Sequence, residues 1–174
     1  MMKTRRAKLY RCKKFYAVTC SETWNGIFFS RTGWSVYTNR KHATPQWIGE
    51  NFRRSLHTSE DFNQASPLSF ETVKKVNSET SQANLNFWGK VAVDFQIKDW
   101  RTAVTKTACV FSCWDYENTD LIELTASRGG GGGHGAWGLD ENAGKVFHVS
   151  IHDTDEAIGE TILKAFNACR PHYA

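Results

Sequence analysis

The stretch from Gly138 to Ala174 constrains the fold more than any other part of the chain. In Lys145–Ile151 the apolar residues Phe147, Val149 and Ile151 alternate with His148 and Ser150, the period of a strand buried on one face. Asp153 then stands where a helix cap is needed, and Glu156 follows three residues on to close a capping box. Ile158, Ile162, Ala165, Phe166 and Cys169 fall on one helical face, and Pro171 forbids continuation. A strand that runs straight into a helix, each with one apolar side, needs a sheet on which the helix can dock. The expectation is a single α+β domain over residues 1–174, with a mostly antiparallel sheet, helices packed on it, and this C-terminal amphipathic helix.

The remaining patterns fit that class. Residues 7–20 are strand-like, Asn25-Gly26 signals a tight turn, and Ile27–Phe29 and Trp34–Tyr37 read as further strands of a hairpin or meander. Thr44-Pro45 starts a helix over about 45–56, striped by Trp47, Ile48, Phe52 and Leu56. Residues 57–69 read as a loop, and Ser69 can cap a short helix over 70–77. Residues 81–105 fit either a helix or a strand; the helical reading is 81–93, a turn near 96–98, then a short helix through Trp100, Ala103 and Val104. Ala108–Trp114 and Leu121–Thr125 form a hairpin around the polar loop Asp115–Asp120.

At 174 residues one well-cored domain is expected. The start, Met1–Lys8, has no apolar signal core, and no run approaches the about 20 apolar residues of a membrane span, so a cytoplasmic protein with no membrane contact is expected. Five cysteines without a scaffold spacing then read as reduced thiols. The formal charge of +4 hides an asymmetry. Residues 1–58 carry twelve Lys/Arg against two acids, net +10, whereas residues 59–160 carry eight against sixteen, net −8. Which of these share a surface depends on the fold.

No local pattern points to a reaction. Gly129–Gly133, followed by His134-Gly135, lacks the Lys-Ser/Thr and helix start of a phosphate loop and the helix of a dinucleotide fingerprint, so it reads as a flexible linker. Cys109 and Cys113 on one strand lie roughly 13 Å apart, too far for one zinc. No metal, cofactor or catalytic residue is expected. The basic run Lys3–Lys14, with Tyr10, Phe15 and Tyr16 interleaved, has the composition of a nucleic-acid strip, and equally of a protected edge strand.

Several fold-framing residues carry a resemblance. They are Trp88, Lys98–Ala103, Ala108-Cys109, Thr125–Ser127, Gly135–Gly138, Ile158-Gly159 and Ala165–Arg170. With them, residues 85–170 resemble the immunity proteins of bacterial contact-dependent growth inhibition (CdiI type); the glycine run is a departure from that family. The resemblance implies a non-enzymatic cytoplasmic protein that binds and neutralises the C-terminal toxin domain, commonly a nuclease, of its cognate CdiA effector. In such an interface aromatic and arginine anchors sit inside a polar rim. The least core-like candidates are Trp24, Trp34, Arg128, His134 and Trp137, with Asp115, Glu117 and Asp120 from the hairpin loop. The alternative from another class is an RNA-binding protein that uses the basic N-terminal segment.

Overall fold

The C-terminal helix finds its sheet. In the computed structural model, which describes residues 3–63, 67–130 and 133–173, one large sheet carries helices on both faces. In chain order the strands and helices are β1 (Arg6–Arg11), β2 (Phe15–Thr23), β3 (Ile27–Phe29), β4 (Val36–Asn39), α1 (Pro45–Thr58), β5 (Glu60–Asp61), α2 (Phe70–Asp94), α3 (Trp100–Thr105), β6 (Ala108–Cys113), β7 (Leu121–Ala126), β8 (Arg128–Gly130), β9 (Gly133–Gly135), β10 (Val146–Ser150) and α4 (Asp155–Ala168). The strand order is β10-β7-β6-β1-β2-β3, with β4 beside β3 along the same edge of β2. Every pairing is antiparallel except that of the two-residue β5 with β2. The expected α+β class is thus present.

Alternation sorts each strand between two cores. Ala7, Leu9, Tyr16, Val18, Val110, Ile122, Leu124 and Val149 meet α1 and α4 on one face. Tyr10, Phe15, Ala17 and Cys109 meet Trp88, Val91, Ala92 and Ala103 of α2 and α3 on the other. All nine residues of β2 are therefore buried, as a strand covered on both sides requires. The turn between β1 and β2 falls at Lys13-Lys14, inside the run that read as one strand-like segment, because neither lysine is a turn-specific residue.

Local chemistry sets the helix ends. Thr44 Oγ1 accepts from the Trp47 amide at 3.1 Å and starts α1 as expected, but the helix runs to Thr58. The cap of α4 is Thr154, not Asp153: Thr154 Oγ1 accepts from the Ala157 amide at 3.2 Å, while the Asp153 carboxylate turns back to the Ser150 amide at 3.0 Å. Asp153 closes the turn after β10 and is spent before the helix begins. The α1–α4 pair is then tied by Arg53, which holds the Asp155 carboxylate at 2.8 Å and donates to the carbonyls of Ile151 and Asp153.

Two further expectations are corrected. The helices over 70–77 and 81–93 are one helix, α2, 25 residues long and capped by Ser69. Its polar middle, Asn77–Thr80, stays helical, with Thr80 Oγ1 donating to the Val76 carbonyl at 2.7 Å. The glycine run is no plain linker: β8 and β9 pair as a hairpin, Arg128 opposite Gly135 and Gly129 opposite His134. A β-carbon on Gly129 would lie 3.0 Å from Pro171, so the absence of side chains lets the C-terminal segment lie against β8. Gly131 and Gly132 of the run lie outside the described residues.

Candidate functional site

Helices α2 and α3 cover only part of their side of the sheet. The alternation that buries Ala7, Leu9, Ile122, Leu124 and Val149 sends Arg6, Lys8, Phe111, Cys113, Glu123, Thr125 and His148 to the other face, and all of these keep solvent contact. The register lines them up. Lys8 lies opposite Phe111 and Phe111 opposite Thr125, while in the next row Cys113 faces Glu123 and Glu123 faces His148. An uncovered sheet face therefore runs across β1, β6, β7 and β10.

Two hollows mark this face. The first, about 390 Å³, is lined by Arg6, Lys8, Ile27, Phe111, His134 and Ala136 among others, between β3 and the β8–β9 hairpin. The second, about 310 Å³, is lined by Cys113, Asp115, Thr119, Leu121, Glu123 and His148. One end is cationic and the other anionic. Along this face β1 contributes the cations Arg6 and Lys8, and β7 with the β6–β7 loop contributes the acids Glu123 and Asp115.

The expected site residues fall into three groups. Asp115, Glu117 and Asp120 share the loop at the acidic end; Glu117 and Asp120 are exposed, and Asp120 lies 3.5 Å from His152. Arg128, His134 and Trp137 belong to the hairpin and the segment after it. Arg128 pairs with Glu141 at 3.1 Å, and Trp137 is half-buried under the Lys145 ammonium, 4.5 Å from its ring. Trp24 and Trp34 lie beyond β2, away from the acidic loop. Trp24 stacks on Phe62 at 4.4 Å and donates to Glu22, and Trp34 lies under the Arg54 guanidinium and donates to Asn51. The three groups do not converge on one point, and both tryptophans are held by their own neighbours.

His134 is a tie rather than a mobile surface histidine. Its Nε2 lies 3.1 Å from both the Val104 carbonyl and Thr107 Oγ1, and its ring meets Tyr10 edge-on at 5.8 Å. Burial lowers its pKa, so the ring is held neutral and pins β9 to the end of α3. The basic N-terminal run is dispersed as well. Arg11 is buried and donates to the His172 carbonyl and Asn167, Lys14 donates to the Phe95 carbonyl, and Tyr10 and Phe15 are core residues. β1 is a central strand between β2 and β6, so the edge-protection reading does not hold.

Sequence reading named Arg6 and Lys8 only as part of the basic run, and did not single out Phe111, Glu123 or His148 for this face. Their signal was present in the alternation: charged residues at every second position of a strand mark a face that no helix covers. All five cysteines are thiols; burial pushes Cys109 and Cys113 up, away from thiolate reactivity. Among the described residues no group of three or more His, Cys, Asp or Glu comes together as a metal site needs, and no helix is long and apolar enough to cross a membrane.

The model of the family described as CDI immunity protein matches residues 5–169, nearly the whole chain. The chain belongs to the CDI immunity protein family. An immunity protein of this family neutralises a CDI toxin by binding it. Two of the solved structures that share the fold cover nearly the whole chain. One is the CdiA-CT/CdiI toxin and immunity complex from Yersinia pseudotuberculosis, with TM-score 0.77 and 17% identity over 95% of this chain and 97% of that one. The other is a protein of unknown function from Neisseria meningitidis, with TM-score 0.75 and 14% identity over 98% of each chain. No curated protein matches the sequence.

Proposed function

We propose that this CDI immunity protein neutralises the C-terminal toxin domain of its cognate CdiA effector by occlusion, seating it on the uncovered sheet face without chemistry of its own. The observation that carries this reading is the sorting of Arg6, Lys8, Asp115 and Glu123 onto one face with the half-buried Phe111. Charge of both signs around an aromatic fixes the orientation of a partner as well as its affinity. The acidic end suits a toxin of nuclease type, whose substrate-binding surface is basic. Asp115, Glu117 and Asp120 then form the rim at that end, and Arg128 and Trp137 the rim beside the hairpin.

Calorimetric titration of the purified protein with its cognate toxin domain tests this. One-to-one heats at nanomolar affinity are expected, with loss of toxin activity at the same stoichiometry. Thr125→Arg places a bulky cation in the middle of the face and should abolish binding while leaving the melting curve in place. Unchanged affinity in that variant would remove the face from the interface.

A further inference from the structure

We propose that the hollow around Arg6 and Lys8 is the seat for an acidic side chain of the bound toxin, an Asp or Glu on a protruding loop whose apolar neighbours pack on Phe111 and Ile27. This rests on the docking face proposed above and adds what the toxin must present to it.

Arg6 and Lys8 are half-buried in the middle of a sheet, and neither has a carboxylate partner among the described residues. The Arg6 guanidinium donates to Thr4 Oγ1 at 3.2 Å, and the Lys8 ammonium lies 5.9 Å from the Phe111 ring centroid. The nearby acids are engaged elsewhere: Asp61 accepts from the Thr4 and Asn63 amides, and Glu22 from Arg31 and Trp24. Two adjacent cations partly withdrawn from water without a counterion are unfavourable for folding. Their position on a central strand excludes protection of a sheet edge. Such a departure from local rules is expected where a surface is kept for a partner.

The walls choose between anions. Ile27, Phe111 and Ala136 make the sides apolar, and a volume of about 390 Å³ fits a side chain with its flanking residues. The adjoining hollow carries Asp115 and Glu123, which repel a polyphosphate backbone that would run along the face. A single carboxylate entering from above meets both cations and avoids both acids.

The test is calorimetry of the intact protein with its purified cognate toxin domain. Lys8→Met keeps the stem on Phe111 and removes the charge; it and Arg6→Gln should each weaken binding roughly tenfold or more, with Lys8→Arg near the wild type. Lys8→Glu should be rescued by changing one surface Asp or Glu of the toxin to Lys. Wild-type affinity in Lys8→Met and Arg6→Gln, with Thr125→Arg still abolishing binding, overturns the seat and leaves the docking face standing. Wild-type affinity in all three overturns both. If Lys8→Met instead loses binding to tRNA and keeps that to the toxin, the occupant is a phosphate and the proposal fails. Should Arg6→Gln not fold, the three Lys8 variants carry the same outcomes.

Discussion

Gly49 of α1 and Gly159 of α4 each lie against the carbonyl one turn before the other glycine. A β-carbon on Gly49 would stand 1.8 Å from the Asp155 oxygen, and one on Gly159 would stand 1.9 Å from the Pro45 oxygen. The two helix backbones therefore touch, which brings Ile48 and Phe52 of one helix and Ile158 and Ile162 of the other into one core. Alanine is the better helix former by about 1 kcal/mol. Here the contact outweighs that preference, since both neighbours are backbone and only separation of the helices makes room. Gly49→Ala and Gly159→Ala should each cost about 2 kcal/mol or more in urea unfolding. Toxin affinity should hold under conditions where the variants stay folded, because this pair lies on the opposite side of the sheet from the proposed site. A variant as stable as the wild type would contradict the close approach.

Glu22 is 1% exposed and depends on Arg31. Its carboxylate takes the Arg31 guanidinium at 2.8 Å, the Arg31 amide at 3.0 Å and the Trp24 indole at 2.9 Å, while Arg31 reaches on to Glu79 of α2 at 2.6 Å. Arg31→Met strands a buried charge and detaches α2 from the β3–β4 connection. A loss of about 3 kcal/mol is expected. Adding Glu22→Gln should recover part of it, since the amide keeps a hydrogen-bonding role without the charge. A double-mutant cycle by chemical denaturation measures the coupling, and additivity would show that the two side chains act independently.

What the sequence made legible follows physical range. The β10–α4 unit, apart from its cap at Thr154 in place of Asp153, the Thr44 and Ser69 caps, the Asn25-Gly26 turn and the β6–β7 hairpin are set by neighbours a few residues apart, and they stand as expected; Asn25 adopts φ 53° there. The α2 helix read as two because an apolar stripe was sought through Asn77–Thr80, whereas its first turns project into solvent and need none: Phe70 is 81% exposed. The pairing of β1 with β6 joins residues about a hundred apart, and no local pattern encodes it. The site was harder for the same reason. Exposed-looking Trp24 and Trp34 are held by Phe62, Arg54 and Asn51, and Arg6 and Lys8 were read as one basic run with Arg11, which the fold buries.

The tie made by His134 should respond to pH. Burial holds its folded pKa below the ordinary 6.5. The unfolded chain therefore binds the proton more readily, and stability from this group is complete above about pH 6.5. It is lost progressively as pH falls toward and through the folded value. His57 shifts in the same direction through its own burial and the nearby Arg5 and Arg53, so it adds to the loss over the same window. Protection of the amides of 133–135 from hydrogen exchange, taken relative to the intrinsic rate at each pH, should fall on acidification before that of the α1–α4 core. His134→Gln should flatten the part of the stability curve that belongs to this residue. A His134 ring titrating at or above 6.5 by NMR would contradict the burial argued here.

The acidic loop should act on the rate of encounter more than on the lifetime of the complex. Asp115, Glu117 and Asp120 belong to the loop at one end of the proposed docking face, and Glu117 and Asp120 are exposed. Exposed charges at a rim add little once water and salt screen them, but they steer an approaching basic surface. The triple variant Asp115→Asn, Glu117→Gln and Asp120→Asn should slow association with the toxin domain about tenfold at low ionic strength, with dissociation nearly unchanged. The difference should shrink toward physiological salt, where the screening length falls to about 8 Å. Stopped-flow mixing across a salt series separates the two rates. An unchanged association rate at low salt would mean that the toxin approaches another side of the molecule, and a loss confined to dissociation would place these carboxylates in direct, desolvated contact with it.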